Sequence, residues 1–119
     1  MNLKEVEEID EPIRDIIKDL NSLGYDTNSS CAGYRYPGHQ DKTDKSKIFQ
    51  KPYVTFYSTL TKAHRLDEEL LNYFWDIQLF QGQFEMHFNT KYGGNSQKAK
   101  KQSWEGVRIA LKALKKKEY

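Results

Sequence analysis

The segment from Pro52 to Asn89 reads PYVTFYSTLTKAHRLDEELLNYFWDIQLFQGQFEMHFN. It contains strand and helix patterns in an order that decides the predicted fold class. The residues from Tyr53 to Tyr57 are rich in aromatic and β-branched side chains and predict a strand. The later block GQFEMHFN alternates apolar and polar positions, which is typical of a half-buried strand. Because a helical pattern separates the two blocks, the order strand, helix, strand predicts at least one parallel strand pair.

The helix within this segment begins after a threonine, since Thr59 and Thr61 are both residues that cap a first helical turn. Its predicted inward face carries four apolar side chains, which are Ala63, Leu66, Leu70 and Phe74. The block DIQLF before Gly82 is read either as the hairpin partner of the last strand or as a loop that returns to it.

Two further helices flank this segment. The first is predicted from Pro12 to Leu23, with proline at a favourable first position and Gly24 as a left-handed terminator. The last follows the turn KYGGNS, where Asn95 or Ser96 caps it, and its inward stripe comprises Trp104, Val107, Ala110, Leu111 and Leu114. These elements predict an α+β fold: one small domain over residues 1–119, with a three- to four-stranded mixed sheet and helices mainly on one face.

Length and composition bound the class of protein. A chain of 119 residues builds one hydrophobic core. No apolar run approaches the roughly 20 residues of a membrane span, and the acidic start MNLKEVEEID lacks the apolar core of a signal peptide. The single cysteine makes no internal disulfide, which favours a reducing compartment. We therefore expect a cytoplasmic protein without a membrane partner; the sequence indicates no oligomeric state.

The charge is distributed unevenly along the chain. Ser96 to Tyr119 holds eight Lys and Arg against two Glu, whereas the other 95 residues hold eleven bases against fifteen acids. A basic end of this kind meets phosphate groups, and Lys98, Lys100 and Lys101 are the predicted nucleic-acid contacts. The alternative is a lysine-rich helix end whose cations favour the negative pole of the helix dipole.

The segment DTNSSCAGYRYPGH, from Asp26 to His39, contains the only cysteine of the chain. It is interpreted as a short strand followed by a loop of small residues, whose closely spaced amides suit a polar or anionic ligand. Gly33 permits backbone conformations that other residues resist. The predicted ligand-binding residues are Ser29, Ser30, Cys31, Gly33, Arg35, Tyr36 and His39. The polar run from Tyr34 to Lys51 is long for a small domain and is either functional or disordered.

The role of Cys31 stays open between a nucleophile, a metal ligand and a small buried hydrophobe. The three histidines and Cys31 stand at no recognised ligand spacing, so no metal site is predicted. No catalytic residue is predicted either.

One stretch, IIKDLNSLGYDTNSSCAGY, resembles the N-terminal signature of the methyltransferases of wybutosine synthesis, which modify a guanosine of phenylalanine tRNA. The matching residues are Leu20, Asn21, Tyr25, Thr27, Ser29, Ser30, Cys31 and Gly33. Ala32 and Tyr34 depart from it, where the family has Ser and Arg. A similar Ser-Cys-x-Gly-His arrangement occurs in small uncharacterised proteins. The resemblance implies a part in tRNA modification and names S-adenosylmethionine as the candidate cofactor.

The turn YGGNS, with Gly93, Gly94 and Asn95, is a second place where such a cofactor is considered, although two adjacent glycines favour a tight turn. We therefore expect a small ligand- or RNA-binding protein related to this family, with the Ser-Ser-Cys-Ala-Gly loop lining the site. The alternatives are an S-adenosylmethionine-dependent tRNA methyltransferase and a non-catalytic interaction protein that uses the basic C-terminal helix.

Overall fold

The computed structural model describes residues 9–34, 36 and 51–117. The helices are α1 (Arg14–Ser22), α2 (Leu60–Leu70), α3 (Thr90–Gly93) and α4 (Gln97–Lys117), with 3-10 turns at Glu11–Ile13 and Leu71–Tyr73. The strands are β1 (Asp26–Cys31), β2 (Tyr53–Tyr57), β3 (Trp75–Phe80) and β4 (Gln83–Phe88). The predicted α+β class, with four strands, is confirmed.

The predicted parallel pair is wrong, and the sheet is antiparallel rather than mixed. Its strand order is β1-β2-β4-β3, and each neighbouring pair runs antiparallel. β2 and β3 do point the same way, as the helix between them requires. However, β3 and β4 form a hairpin through Gln81 and Gly82, and β4 inserts between β3 and β2. The ambiguous block DIQLF is therefore the hairpin partner.

The helix ends follow from particular residues. In α1 the predicted apolar face is buried, and Gly24 ends the helix at a φ of +96°. The Thr59 hydroxyl accepts the amide of Lys62 and caps α2. The Ser96 hydroxyl accepts the amide of Ala99 at 3.0 Å at the start of α4. Phe74 does not extend the α2 face, because it adopts a left-handed φ of 64° after the helix and is 51% exposed.

The core lies between one face of the sheet and the helices. Val54, Phe56, Met86 and Trp75 from the strands pack with the apolar stripes of α1, α2 and α4. The rings of Trp75 and Trp104 lie 4.8 Å apart, which joins the sheet to α4 at the centre of the core. The opposite face of the sheet carries the alternate, mostly polar residues. Within the described residues, no helix combines the length and apolar character that a membrane crossing requires.

Side chains cover backbone amides at the β1 edge of the sheet. The backbone amide of Thr27 donates to Asn21 Oδ1 at 3.1 Å. Just beyond β1, the backbone amide of Ala32 donates to Asp10 Oδ2 at 2.8 Å. The outer strand β1 is thus held by the helical layer as well as by its neighbour β2.

Candidate functional site: the open face of the sheet

The predicted cysteine loop is largely a strand. Ser29, Ser30 and Cys31 lie in β1 and pair in register with Thr55, Val54 and Tyr53 of β2. Side chains alternate along a strand, so neighbouring serines point to opposite faces of the sheet. Ser29 is exposed beside Thr55 on the open face, and Ser30 lies on the side of Val54. The run of amides that was expected to bind an anion therefore belongs to sheet pairing.

Gly33 serves packing in this structure. It has a φ of +78°, and an added Cβ would lie 2.3 Å from the backbone nitrogen of Pro52 and 2.7 Å from the carbonyl carbon of Lys51. The close approach that a glycine permits is made here by the chain entering β2. No space for a ligand remains on that side of Gly33.

The residues after β1 are tied to the first helical layer. The Asp10 carboxylate accepts the Ala32 amide through one oxygen and the Tyr36 hydroxyl, at 2.9 Å, through the other. The indole nitrogen of Trp104 donates to the Ala32 carbonyl at 2.9 Å. The anionic group at this turn is therefore the carboxylate of Asp10.

Cys31 and Lys100 are both buried, with 6% and 0% of their surfaces exposed. Burial lowers the pKa of Lys100, and the nearby Cys31 opposes that shift. Lys98 and Lys101 are exposed on α4. The three predicted nucleic-acid lysines therefore do not form one surface, because the helical turn places Lys100 inward between two outward neighbours.

The open face of the sheet brings polar groups together in rows. Strand register aligns Cys31, Tyr53, His87 and Asp76 in one row, and Ser29, Thr55, Glu85 and Gln78 in the next. A shallow cavity of about 440 Å³ lies over these rows, lined by Lys51, Tyr53, Gln78, Glu85 and His87. Ser29 and Cys31 of the predicted signature belong to the same rows, although Cys31 and Thr55 are buried.

Hydrogen bonds position the β1 side of this face. The hydroxyls of Ser29 and Tyr53 lie 3.2 Å apart and share a hydrogen bond. The side-chain nitrogen Nδ2 of Asn28 donates to Gln83 Oε1 at 2.6 Å. The side-chain oxygen Oδ1 of Asn28 accepts a hydrogen bond from the Thr55 hydroxyl. Asn28 therefore bridges β1 to β4 across β2. Such links hold side chains of three strands in a fixed arrangement before any ligand arrives.

The chemistry of the cavity is that of hydrogen bonding and stacking. It offers the rings of Tyr53 and His87, the carboxylate of Glu85, the amide of Gln78 and one ammonium from Lys51. With Asp76 beside His87, acids outnumber bases on these rows. Such a set suits a planar polar ligand with hydrogen-bond donors better than a phosphate.

Sequence reasoning missed most of these residues. It placed His87 and Glu85 on the polar side of a strand, but it did not join them to Tyr53 and Gln78. The usable signal was the alternation in YVTFYS and GQFEMHFN. The missing information was the strand order, which alone makes Tyr53 and His87 neighbours.

The remaining predicted features are the glycine turn at Gly93 and Gly94, the residues Arg35 and His39, and the absence of a metal site. Gly93 packs against the Phe88 ring, since an added Cβ would lie 2.3 Å from it, and both residues line a cavity of about 200 Å³ beside α4. Gly94 adopts a φ of +106° in the turn before α4. Arg35 and His39 lie outside the described residues. Among the described residues, no group of three His, Cys, Asp or Glu side chains is placed to hold a metal ion.

Comparison with family models, with curated proteins and with solved structures found no match to this chain. The functional argument therefore rests on the geometry of the open face.

Proposed function

We propose that the protein is a binding module for a ligand of the nucleoside class, held on the open face of its sheet. The observation that carries this proposal is the pairing of Tyr53 with His87 directly above the Glu85–Gln78 row, over one cavity of about 440 Å³. Aromatic side chains on a sheet stack on bases, and carboxylate and amide groups read their edges.

The charge of the face supports a base as the contacted group. Only Lys51 among the cavity residues is a permanent cation, whereas Glu85 and the neighbouring Asp76 are acidic. A phosphate would meet more repulsion than attraction there. A neutral nucleoside, or one unstacked base of an RNA, meets donors and acceptors without that penalty.

The resemblance of Leu20–Gly33 to the wybutosine methyltransferases supports RNA as the natural source of the base. On this proposal the protein acts in the cytoplasm, where its one thiol stays reduced. The methyltransferase stays the alternative, and the glycine turn considered for its cofactor lies beside a cavity of about 200 Å³ that Gly93 and Phe88 line.

The test is an amide-shift titration of isotope-labelled protein with guanosine and with adenosine, which carry no phosphate. We expect saturable shifts in β2 and β4, at Tyr53–Tyr57 and Gln83–Phe88. The variant Tyr53→Ala should abolish them, and Tyr92→Ala is its matched control because Tyr92 lies in α3, outside the strands, and is 69% exposed. Glu85→Gln, which conserves shape, should weaken binding without unfolding the protein.

Flat spectra at millimolar nucleoside, or equal shifts in the Tyr53→Ala variant, would refute the proposal. A parallel titration with S-adenosylhomocysteine separates the enzyme alternative. Saturation by this compound, followed by methyl transfer to RNA, would establish the methyltransferase in place of the binding module.

A further inference from the structure

Apart from the buried Lys100, the cations of helix α4 form two groups. Arg108 bonds Asp15 with its Nε at 3.0 Å and also pairs with Glu105. Lys115 pairs with Asp19 at 3.0 Å, and Lys117 pairs with Glu69. These cations are neutralised by the acids of α1, α2 and α4 itself.

The second group consists of Lys98, Lys101, Lys112 and Lys116, all of them exposed. None of the four has a carboxylate within 4.0 Å among the residues that the structure describes. We call these four residues the lysine stripe. Within the described part of the chain, their charges face solvent without compensation, unlike those of the first group.

The lysine stripe is straight. At 3.6 residues per turn, its four members fall within about 60° of arc on the helix surface. The buried residues of α4, such as Trp104, Val107 and Leu111, occupy the opposite side of the helix. At 1.5 Å per residue the stripe extends for about 27 Å, which is most of the length of α4.

Two pairs make up the stripe, one at each end. Lys98 and Lys101 are one turn apart, as are Lys112 and Lys116, and about 17 Å separates the nearer members of the two pairs. Between the pairs lie Glu105, whose carboxylate shares the Arg108 guanidinium with Asp15, and Ile109, which is 53% exposed. Glu105 is the one acidic residue on α4 between the two pairs, and it is partly neutralised.

We propose that the lysine stripe binds the phosphate backbones of double-stranded DNA. The major groove of B-form DNA is about 12 Å wide, so two cation pairs about 17 Å apart reach the backbones on its two sides. A rigid helix suits a rigid duplex, and uncompensated lysines are the side chains that release counterions from it. The lysine stripe points away from the sheet, so this surface is separate from the nucleoside site and does not depend on it.

The test measures binding of a 20-base-pair mixed-sequence DNA duplex as a function of salt, by fluorescence anisotropy of the labelled duplex. Four phosphate contacts predict a slope of log K against log salt of about −3.6. The double variant Lys98→Gln/Lys101→Gln should reduce the slope to about −1.8 and weaken binding up to about 60-fold at 0.1 M salt.

The matched control is Lys115→Gln/Lys117→Gln, which removes the same formal charge from the same helix but only from neutralised positions. Its slope should stay near that of the unaltered protein. Equal losses in both double variants would show that net charge rather than the lysine stripe binds DNA, and would overturn the proposal. So would the absence of duplex binding, or binding of phosphatidylserine vesicles in preference to the duplex. All four positions are exposed, and circular dichroism verifies that each variant is folded.

Discussion

Replacing Gly33 with alanine separates the packing role of this residue from the ligand-facing role that its sequence context suggests. Two penalties are expected. A left-handed backbone costs a residue with a Cβ about 1–2 kcal/mol. The new Cβ would in addition lie 2.3 Å from the Pro52 nitrogen and 2.6 Å from its Cδ, so the backbone entering β2 must move. Overpacking of this kind costs a further ~1–3 kcal/mol.

Gly82 provides a matched control. It has a φ of +80°, almost the same as the +78° of Gly33, but an added Cβ would meet nothing within 4 Å. Gly82→Ala therefore carries the conformational penalty alone, about 1–2 kcal/mol. Both substitutions reduce the entropy of the unfolded chain alike, so that effect cancels in the comparison. The difference between the two variants isolates the contact with Lys51 and Pro52.

The assay is urea unfolding followed by the fluorescence of the buried Trp75 and Trp104. Gly33→Ala should lower the free energy of unfolding by about 2–5 kcal/mol, with an unchanged dependence on urea. Equal losses for Gly33→Ala and Gly82→Ala would refute the packing argument. The space beside Gly33 would then be open to a ligand after all.

Two further substitutions probe the buried layer. Trp104→Phe removes the indole N–H that donates to the Ala32 carbonyl at 2.9 Å, and it leaves a small void. The free energy of unfolding, measured with urea, should therefore fall by about 2–4 kcal/mol. A loss under about 1 kcal/mol would contradict this hydrogen bond. Because burial lowers the folded-state pKa of Lys100, the folded protein binds this proton less tightly than the unfolded chain does. The free energy of unfolding of the unaltered protein, relative to that of Lys100→Met, should therefore rise as the pH increases toward 10.5, the ordinary lysine pKa. A fall of this difference over the same pH range, measured by urea unfolding, would contradict the lowered pKa of Lys100.

The elements of this fold were predictable because their signals are local. The strand Tyr53–Tyr57, the cap at Thr59 and the buried stripe of α4 each depend on residues within one or two turns of chain. The antiparallel order was not predictable in this way. The helix between β2 and β3 is consistent with the common direction of these two strands. However, no local pattern within residues 52–89 indicates that β4 inserts between them.

The site was less predictable than the fold for the same reason. The small residues around Cys31 were interpreted as a ligand loop, whereas Asp10 and Pro52 fill the space beside them. Lys100 was grouped with its charged neighbours, although one helical step turns it inward. The meeting of Tyr53 with His87 arises from pairing across 34 residues of sequence, which periodicity does not reveal.

The side chains that cover the β1 edge have a consequence for the behaviour of the protein in solution. An uncovered strand edge is a template on which another chain adds, and repeated addition leads to fibrils. Here Asn21 occupies the backbone amide of Thr27, and Asp10 occupies the backbone amide of Ala32 just beyond the strand. Both residues belong to the segment around α1, so the segment that contributes to the core also shields this strand edge against self-assembly.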